Sequence, residues 1–181
     1  MSYAPLTNDT FLRACRRQAT DYTPLWLMRQ AGRYLPEYRE LRAEKGGFLA
    51  LVYDSEAAAE ITVQPLRRFG FDGAILFSDI LIVPYAMGQD LQFLAGEGPH
   101  LSPRLVDTAL SSLTAVPERL SPIYETVRQV RAALPADKTM LGFAGSPWTV
   151  ATYMVAGQGS KDQAAARRCV WHDQRGLDVA P

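Results

Sequence analysis

"GAILFSD" (residues 73–79) places Ala74, Ile75, Leu76 and Phe77 in one unbroken apolar run and then stops on a serine and an aspartate. A short run of this kind, bounded by turn-forming residues, is the pattern of a strand covered on both faces. The segment before it, "DSEAAAEITVQPLRRF" (54–69), reads as a helix: Asp54 or Ser55 is suited to cap it, and an acidic residue lies in its first turn. Pro65 predicts a kink or a break in that helix. Downstream, "PERLSPIYETVRQVRAAL" (117–134) carries a helical stripe of Leu120, Ile123, Val127, Val130 and Leu134. "TMLGF" (139–143) reads as a further strand, and Pro147 suits the first turn of the helix after it. Upstream, "LWLM" (25–28) predicts a further strand, with "RQAGR" directly behind it. Strands that alternate with crossover helices specify a parallel α/β sheet or barrel.

In such folds, chemistry collects at the carboxyl ends of the strands. Each predicted strand here ends in polar groups: Arg29 and Arg33, then Ser78 and Asp79, then Ser146 with Trp148 and Tyr153 close behind. Convergence of the three ends on one face would build a site. Arg29 and Arg33 read either as a solvated surface pair or as a guanidinium clamp for carboxylate or phosphate. Asp79 reads as a cap or arginine partner, or as an acceptor for N–H groups and a stabiliser of positive charge formed during reaction. Ser78 reads as a turn former. Tyr153 is either a core aromatic or a hydrogen-bonding hydroxyl.

Composition narrows the classes. Of 181 residues, 48% are hydrophobic and 21% charged, which describes a globular chain. Basic and acidic residues both number 19, so net charge gives no pull toward nucleic acid or an acidic membrane. Cys15 and Cys169 form no CxxC pair, and His100 and His172 have no companions at metal-ligand spacing. "AGEGP" (95–99) and "GQGSK" (157–161) resemble phosphate loops but match neither GxxxxGK[ST] nor GxGxxG, and read as turns. The N-terminal stretch has no signal-peptide core, and no run approaches the roughly 18 apolar residues of a membrane span. The expectation is a soluble, cytoplasmic protein.

Three blocks carry a family resemblance: "PLWLMRQAGRYLPEYRELR", "ITVQPLRRFGFDGAILFSDILIVPYAMG" and "GFAGSPWTVATYMVAGQGSKD". In this order they resemble the uroporphyrinogen decarboxylases from about Pro24 to Arg168. The resemblance implies a (β/α)8 TIM barrel, homodimeric at full length, that uses no metal or organic cofactor. It implies removal of carbon dioxide from the four acetate side chains of uroporphyrinogen III, giving coproporphyrinogen III for haem biosynthesis. By the same resemblance, Arg29, Gln30, Ala31, Gly32 and Arg33 form a substrate-carboxylate-binding loop. Asp79 takes the pyrrole N–H groups and Tyr153 hydrogen-bonds near the reacting acetate. The chemistry itself requires a general acid paired with a carboxylate-binding group, and Arg29 is the candidate.

An eight-fold barrel takes about 250 residues. The expectation here is the N-terminal portion alone, about three βα units and an N-terminal cap over residues 1–168, with a divergent tail over 169–181. The family's later serine or threonine and its histidine have no positions in this sequence, and the context of His172 does not match that histidine. The expected outcome is a truncated chain. Two other readings stay open: a fragment that binds porphyrinogen without turning it over, or is inert, and a corrinoid-type methyltransferase on the same barrel. The scattered cysteines and histidines supply no zinc site for the latter.

Overall fold

The computed structural model describes residues 5–94 and 96–172. Most of the tail expected at 169–181 therefore lies outside the described residues, as does the side chain of His172. In chain order the elements are α1 (Thr10–Cys15), α2 (Pro36–Lys45), α3 (Phe48–Tyr53), α4 (Ser55–Phe69), β1 (Gly73–Ile75), α5 (Ile82–Ala86), β2 (Asp90–Leu94), β3 (Gly98–Ser102), α6 (Ser121–Ala133), β4 (Thr139–Leu141), α7 (Pro147–Ala156) and α8 (Ala164–His172). Short 3-10 turns stand at Leu110–Ser112 and Pro117–Leu120. The described residues form two compact units, one within residues 5–79 and 121–143 and one within residues 80–120 and 144–172.

The first unit is built on α4. Its first turn would leave unsatisfied N–H groups, and the Asp54 carboxylate accepts one of them from Ala57 at 3.0 Å. At the other end Gly70 adopts φ 67°, a left-handed turn natural to glycine, and donates its N–H to the Leu66 carbonyl. Pro65 neither ends nor interrupts the helix, which runs continuously through it from Ser55 to Phe69. β1 and β4 pair in parallel, with Gly73 opposite Thr139 and Ile75 opposite Leu141. Ala59, Val63 and Leu66 of α4 close over Ala74 and Leu76, and over Val130 and Leu134 from α6 and its end. Each large aliphatic side chain buried there contributes roughly 1.5–3 kcal/mol. A second core joins Leu35, Tyr38, Leu51, Ala57 and Ile61, with Ala31 and Phe77 packed against it. Thr62, fully buried, donates its hydroxyl to Ala58 O and accepts the Phe77 N–H at 2.9 Å, which pins the exit of β1.

The strand expected at 25–28 does not form. Leu25 meets Asp72 twice, accepting the Asp72 N–H at 2.9 Å and donating its own N–H to the Asp72 carboxylate at 2.7 Å. Two residues on, the Leu27 N–H goes to the Gln30 side chain at 3.2 Å. Side chains thus take the Leu25 and Leu27 amides that a ladder would have used, and the stretch crosses β1 without becoming part of its sheet. The crossing is close. A Cβ on Gly73 would stand 3.4 Å from Trp26 Cβ and 2.6 Å from Leu141 Cδ1, so an added methyl would have to displace the end of the Leu141 side chain.

The second unit contains an antiparallel hairpin, β2 with β3, in the register Asp90 to Ser102 through Leu94 to Gly98. Leu91 and Leu101 face each other on its buried side. Its turn uses Gly96 at φ 84° and Gly98 at φ 87°. Helix α7 is capped by the Ser146 hydroxyl, which accepts the Thr149 N–H, and has Pro147 in its first turn. It stops at Gly157, whose φ is 79°. The hairpin is tied to α7 by the Leu101 N–H, which donates to Gly157 O at 2.7 Å. The buried Gln89 side chain adds bonds to Pro103 O and Met154 O. Gly96 and Glu97 thus form the turn of the hairpin, and Gly157 ends α7, in keeping with the turns expected of the two glycine-rich stretches.

Candidate active site

The RQAGR loop belongs to the first unit and is anchored along its middle. Gln30 is 1% exposed, and its carboxamide spends both ends on backbone: Oε1 accepts the Leu27 N–H, and Nε2 donates to Gly73 O at 2.9 Å. Ala31 packs on the second core. The Leu35 N–H then returns to Gly32 O at 3.0 Å, closing a turn around Arg33 and Tyr34. Arg29 and Arg33 stand on either side of these anchors and are exposed. Among the described residues, neither guanidinium has a hydrogen-bond or ion-pair partner. A loop fixed from beneath with two unneutralised guanidiniums above is suited to an anionic ligand that offers planar oxygen pairs.

Tyr34 closes the loop from the outside. Its hydroxyl donates to the Gln30 carbonyl, and its ring stacks on Phe69 at a centroid distance of 6.4 Å. Burial pushes its phenol pKa up, against a smaller downward pull from Arg68, while Glu37 pushes it up further. Arg68 itself is held by Glu37 in a paired contact at 3.0 and 2.9 Å, linking α4 to α2. That bond to Arg68 is the main reason the Glu37 carboxyl titrates below the usual range. Arg42 donates to the Tyr38 hydroxyl at 3.3 Å, and Arg39 is exposed on the same helix.

Asp79 and Ser78 are half-buried and lie just beyond β1. Because β1 and β4 run parallel, both strands leave the ladder on the side where Asp79 sits. Asp79 is not the cap of α5, since that position belongs to Leu81. Tyr153 lies in the second unit, half-buried on α7. Its hydroxyl lies against the backbone of the following turn: a Cβ on Gly159 would come within 2.8 Å of Tyr153 Oη. Trp148, on the same helix, donates its indole N–H to Gln163 at 2.8 Å, and Ser146 is occupied in capping. The first unit thus holds the RQAGR loop and Asp79, and the second holds Tyr153.

Sequence reasoning did not single out a cleft of about 530 Å³ in the second unit, lined among others by Gln92, His100, Arg104, Asp107 and Gln158. Arg104 pairs there with Asp107 at 2.6 Å, and His100 Nε2 lies 3.2 Å from the Glu97 carboxylate. Among the described residues no three histidine, cysteine, aspartate or glutamate side chains come together as a metal site. Nor is any described helix long and apolar enough to cross a membrane.

The model of the family described as uroporphyrinogen decarboxylase matches residues 6–178. The chain belongs to the uroporphyrinogen decarboxylase family. It is 80% identical over 150 residues to the uroporphyrinogen decarboxylase of Novosphingobium aromaticivorans, covering 83% of this chain and 44% of that protein. It is 75% identical to that of Erythrobacter litoralis, over 90% of this chain and 48% of the relative. With that of Rhizorhabdus wittichii it shares 68% identity over 99% of its own length and 52% of the relative's. The chain spans about half the length of the curated relatives it matches. Among solved structures it resembles a methyltransferase from Methanosarcina mazei, with a TM-score of 0.65 at 18% identity, over 84% of this chain and 46% of that one. At that identity the likeness concerns the fold alone. The architecture is α/β, the N-terminal portion of the uroporphyrinogen decarboxylase TIM barrel.

Proposed function

We propose that this chain carries the carboxylate-binding part of a cofactor-independent decarboxylase that converts uroporphyrinogen III to coproporphyrinogen III in haem biosynthesis. The observation that carries this reading is the exposed, unneutralised pair Arg29 and Arg33 on a loop whose centre is built into the core. The substrate presents eight carboxylates, and guanidinium forks are the side chains best matched to them. Gln30, Ala31 and Gly32 belong to the same binding loop. Asp79 accepts hydrogen bonds from the pyrrole N–H groups, which are donors only, and the Tyr153 hydroxyl binds near the reacting acetate.

The chemistry asks for transient positive charge. A proton added to a pyrrole α-carbon makes the ring cationic. The bond between the acetate methylene and its carboxylate then breaks, and its electron pair neutralises the ring as carbon dioxide leaves. Protonation of the resulting exocyclic methylene gives the methyl group, and the α-carbon returns its proton. A fixed aspartate at the pyrrole nitrogens stabilises both cationic stages electrostatically. Arg29 is the group assigned to deliver the first proton. The setting is cytoplasmic, the full-length assembly a homodimer, and neither nucleic acid nor membrane takes part.

The test separates binding from turnover. Uroporphyrin, the oxidised octacarboxylate, is titrated into the 181-residue chain, and uroporphyrinogen III is incubated with it anaerobically. Loss of one charged hydrogen-bonding group is worth about 1.5–3 kcal/mol, so Arg33→Ala weakens uroporphyrin binding about tenfold or more. Affinity unchanged by both Arg33→Ala and Arg29→Ala overturns the reading. Binding that depends on the arginines without release of carbon dioxide assigns this chain the binding part alone.

A further inference from the structure

An arginine clamp works only if its guanidiniums are held at one spacing, yet Arg29 and Arg33 are themselves exposed and unanchored. Something beneath them has to set their geometry. The buried residue between them is Gln30, and both ends of its carboxamide are already committed to backbone groups, at Leu27 N–H and Gly73 O. No hydrogen-bonding end of that side chain is left for a ligand beyond the second donor hydrogen on Nε2 and the second lone pair on Oε1, and both lie in the protein interior.

We propose that Gln30 is a positioning residue for the substrate-carboxylate clamp: its side chain ties the loop to the entry of β1 and thereby aims Arg29 and Arg33, without touching the ligand. The inference rests on the functional reading above and deepens it.

The choice of glutamine follows from the two partners. One is an amide N–H and needs an acceptor; the other is a carbonyl and needs a donor. A carboxamide offers both at one terminus. Glutamate would set an oxygen against the Gly73 carbonyl and bury a charge. Methionine matches the volume but leaves an N–H and a carbonyl unmatched. Asparagine keeps the amide and falls short by one methylene. The Tyr34 hydroxyl adds a second tie, on the backbone carbonyl of Gln30 itself. Since Arg29 is the adjacent residue, its Cα is placed within one peptide length of the fixed position, about 3.8 Å.

Two measurements on the 181-residue chain test this. Limited trypsin digestion reads loop order directly, because the enzyme cuts after Arg29 and Arg33. In Gln30→Met, cleavage at these two bonds is expected to accelerate about tenfold, with cleavage elsewhere and the far-ultraviolet circular dichroism unchanged. The second measurement is a double-mutant cycle of uroporphyrin affinity. Gln30→Met weakens binding, and adding Arg33→Ala then costs less than the same change in the wild type, because the arginine is already misaimed. Gln30→Asn serves if Gln30→Met does not fold, and Tyr34→Phe reproduces a smaller part of both effects.

Unchanged cleavage after Arg29 and Arg33 overturns the proposal. Gln30→Met and Arg33→Ala effects that simply multiply also overturn it, since independent effects mean that Gln30 does not act through the arginine. If Arg33→Ala and Arg29→Ala leave wild-type affinity untouched, the uroporphyrinogen reading fails instead. The trypsin result then decides by itself whether Gln30 orders the loop.

Discussion

Glycines in and around the site differ sharply in what they permit. Gly32 sits inside RQAGR, yet an added Cβ would meet only the Tyr34 ring at 3.7 Å, and its backbone is not left-handed. Gly73 is the reverse, with Leu141 Cδ1 at 2.6 Å from the same imagined atom. Gly32→Ala therefore leaves unfolding midpoints in urea near those of the wild type, and any change it causes is read in uroporphyrin affinity. Gly73→Ala pushes the Leu141 side chain aside and costs about 1 kcal/mol, visible as a slightly lower urea midpoint. Asp54 yields a pH-dependent prediction. Its carboxyl titrates below the usual range, chiefly because it accepts the Ala57 N–H and secondarily because of Lys45. A depressed folded pKa contributes stability above the unfolded value near 4, and that contribution is lost as pH falls through the folded value. Asp54→Ala thus costs about 1 kcal/mol at pH 7, and the gap between variant and wild type narrows below about pH 4 in urea titrations.

Elements separate into those their own sequence specifies and those it does not. Helix α4 carries its start and stop within itself, in Asp54 and Gly70, and α7 does the same with Ser146, Pro147 and Gly157. The starts at Asp54 and Pro147 were readable because helix N-termini are local chemistry. The strands within the apolar runs at 73–77 and 139–143 were readable from the runs themselves, although β4 is only partly buried and Gly142 and Phe143 beyond it are exposed. "LWLM" has the same apolar character but ends as a crossing segment, because Asp72 and Gln30 take its amides. Both partners depend on tertiary placement that no window of sequence contains. The β2–β3 hairpin left a faint trace, two glycines between Leu91 and Leu101, that a reading for parallel units passes over. Of the site, the residue types were legible and the division of labour within RQAGR was not, since burial of Gln30 depends on Gly73. At α7 the stop is strained for any other residue: Gly157→Ala forces a left-handed alanine and sets its Cβ 2.9 Å from Leu101 O. A loss of about 1–2 kcal/mol in chemical denaturation is expected.

Across the whole molecule, apolar side chains face solvent in quantity. Leu25, Leu27, Met28, Phe143 and Tyr34 do so in the first unit, and Val83, Leu110 and Trp171 in the second. Surfaces of this kind favour self-association. The protein's three tryptophans, Trp26, Trp148 and Trp171, are 36%, 42% and 83% exposed. Iodide should consequently quench most of the intrinsic fluorescence of the dilute chain, and raising the protein concentration should shield part of it. Emission that resists iodide at every concentration contradicts the exposure described above.

The tie between Gln30 and Gly73 spans 43 residues of chain, and that between Leu25 and Asp72 spans 47. Neither can exist until a loop of that size has closed, and closure is entropically unfavourable before any contact compensates it. Helix α4 and its caps lie wholly inside that loop and can order first. The helical scaffold is thus expected to order before the loop. On the proposed function, residues 29–33 reach their carboxylate-binding arrangement only once the entry of β1 has met residues 25–30, and ligand competence is expected as a late event.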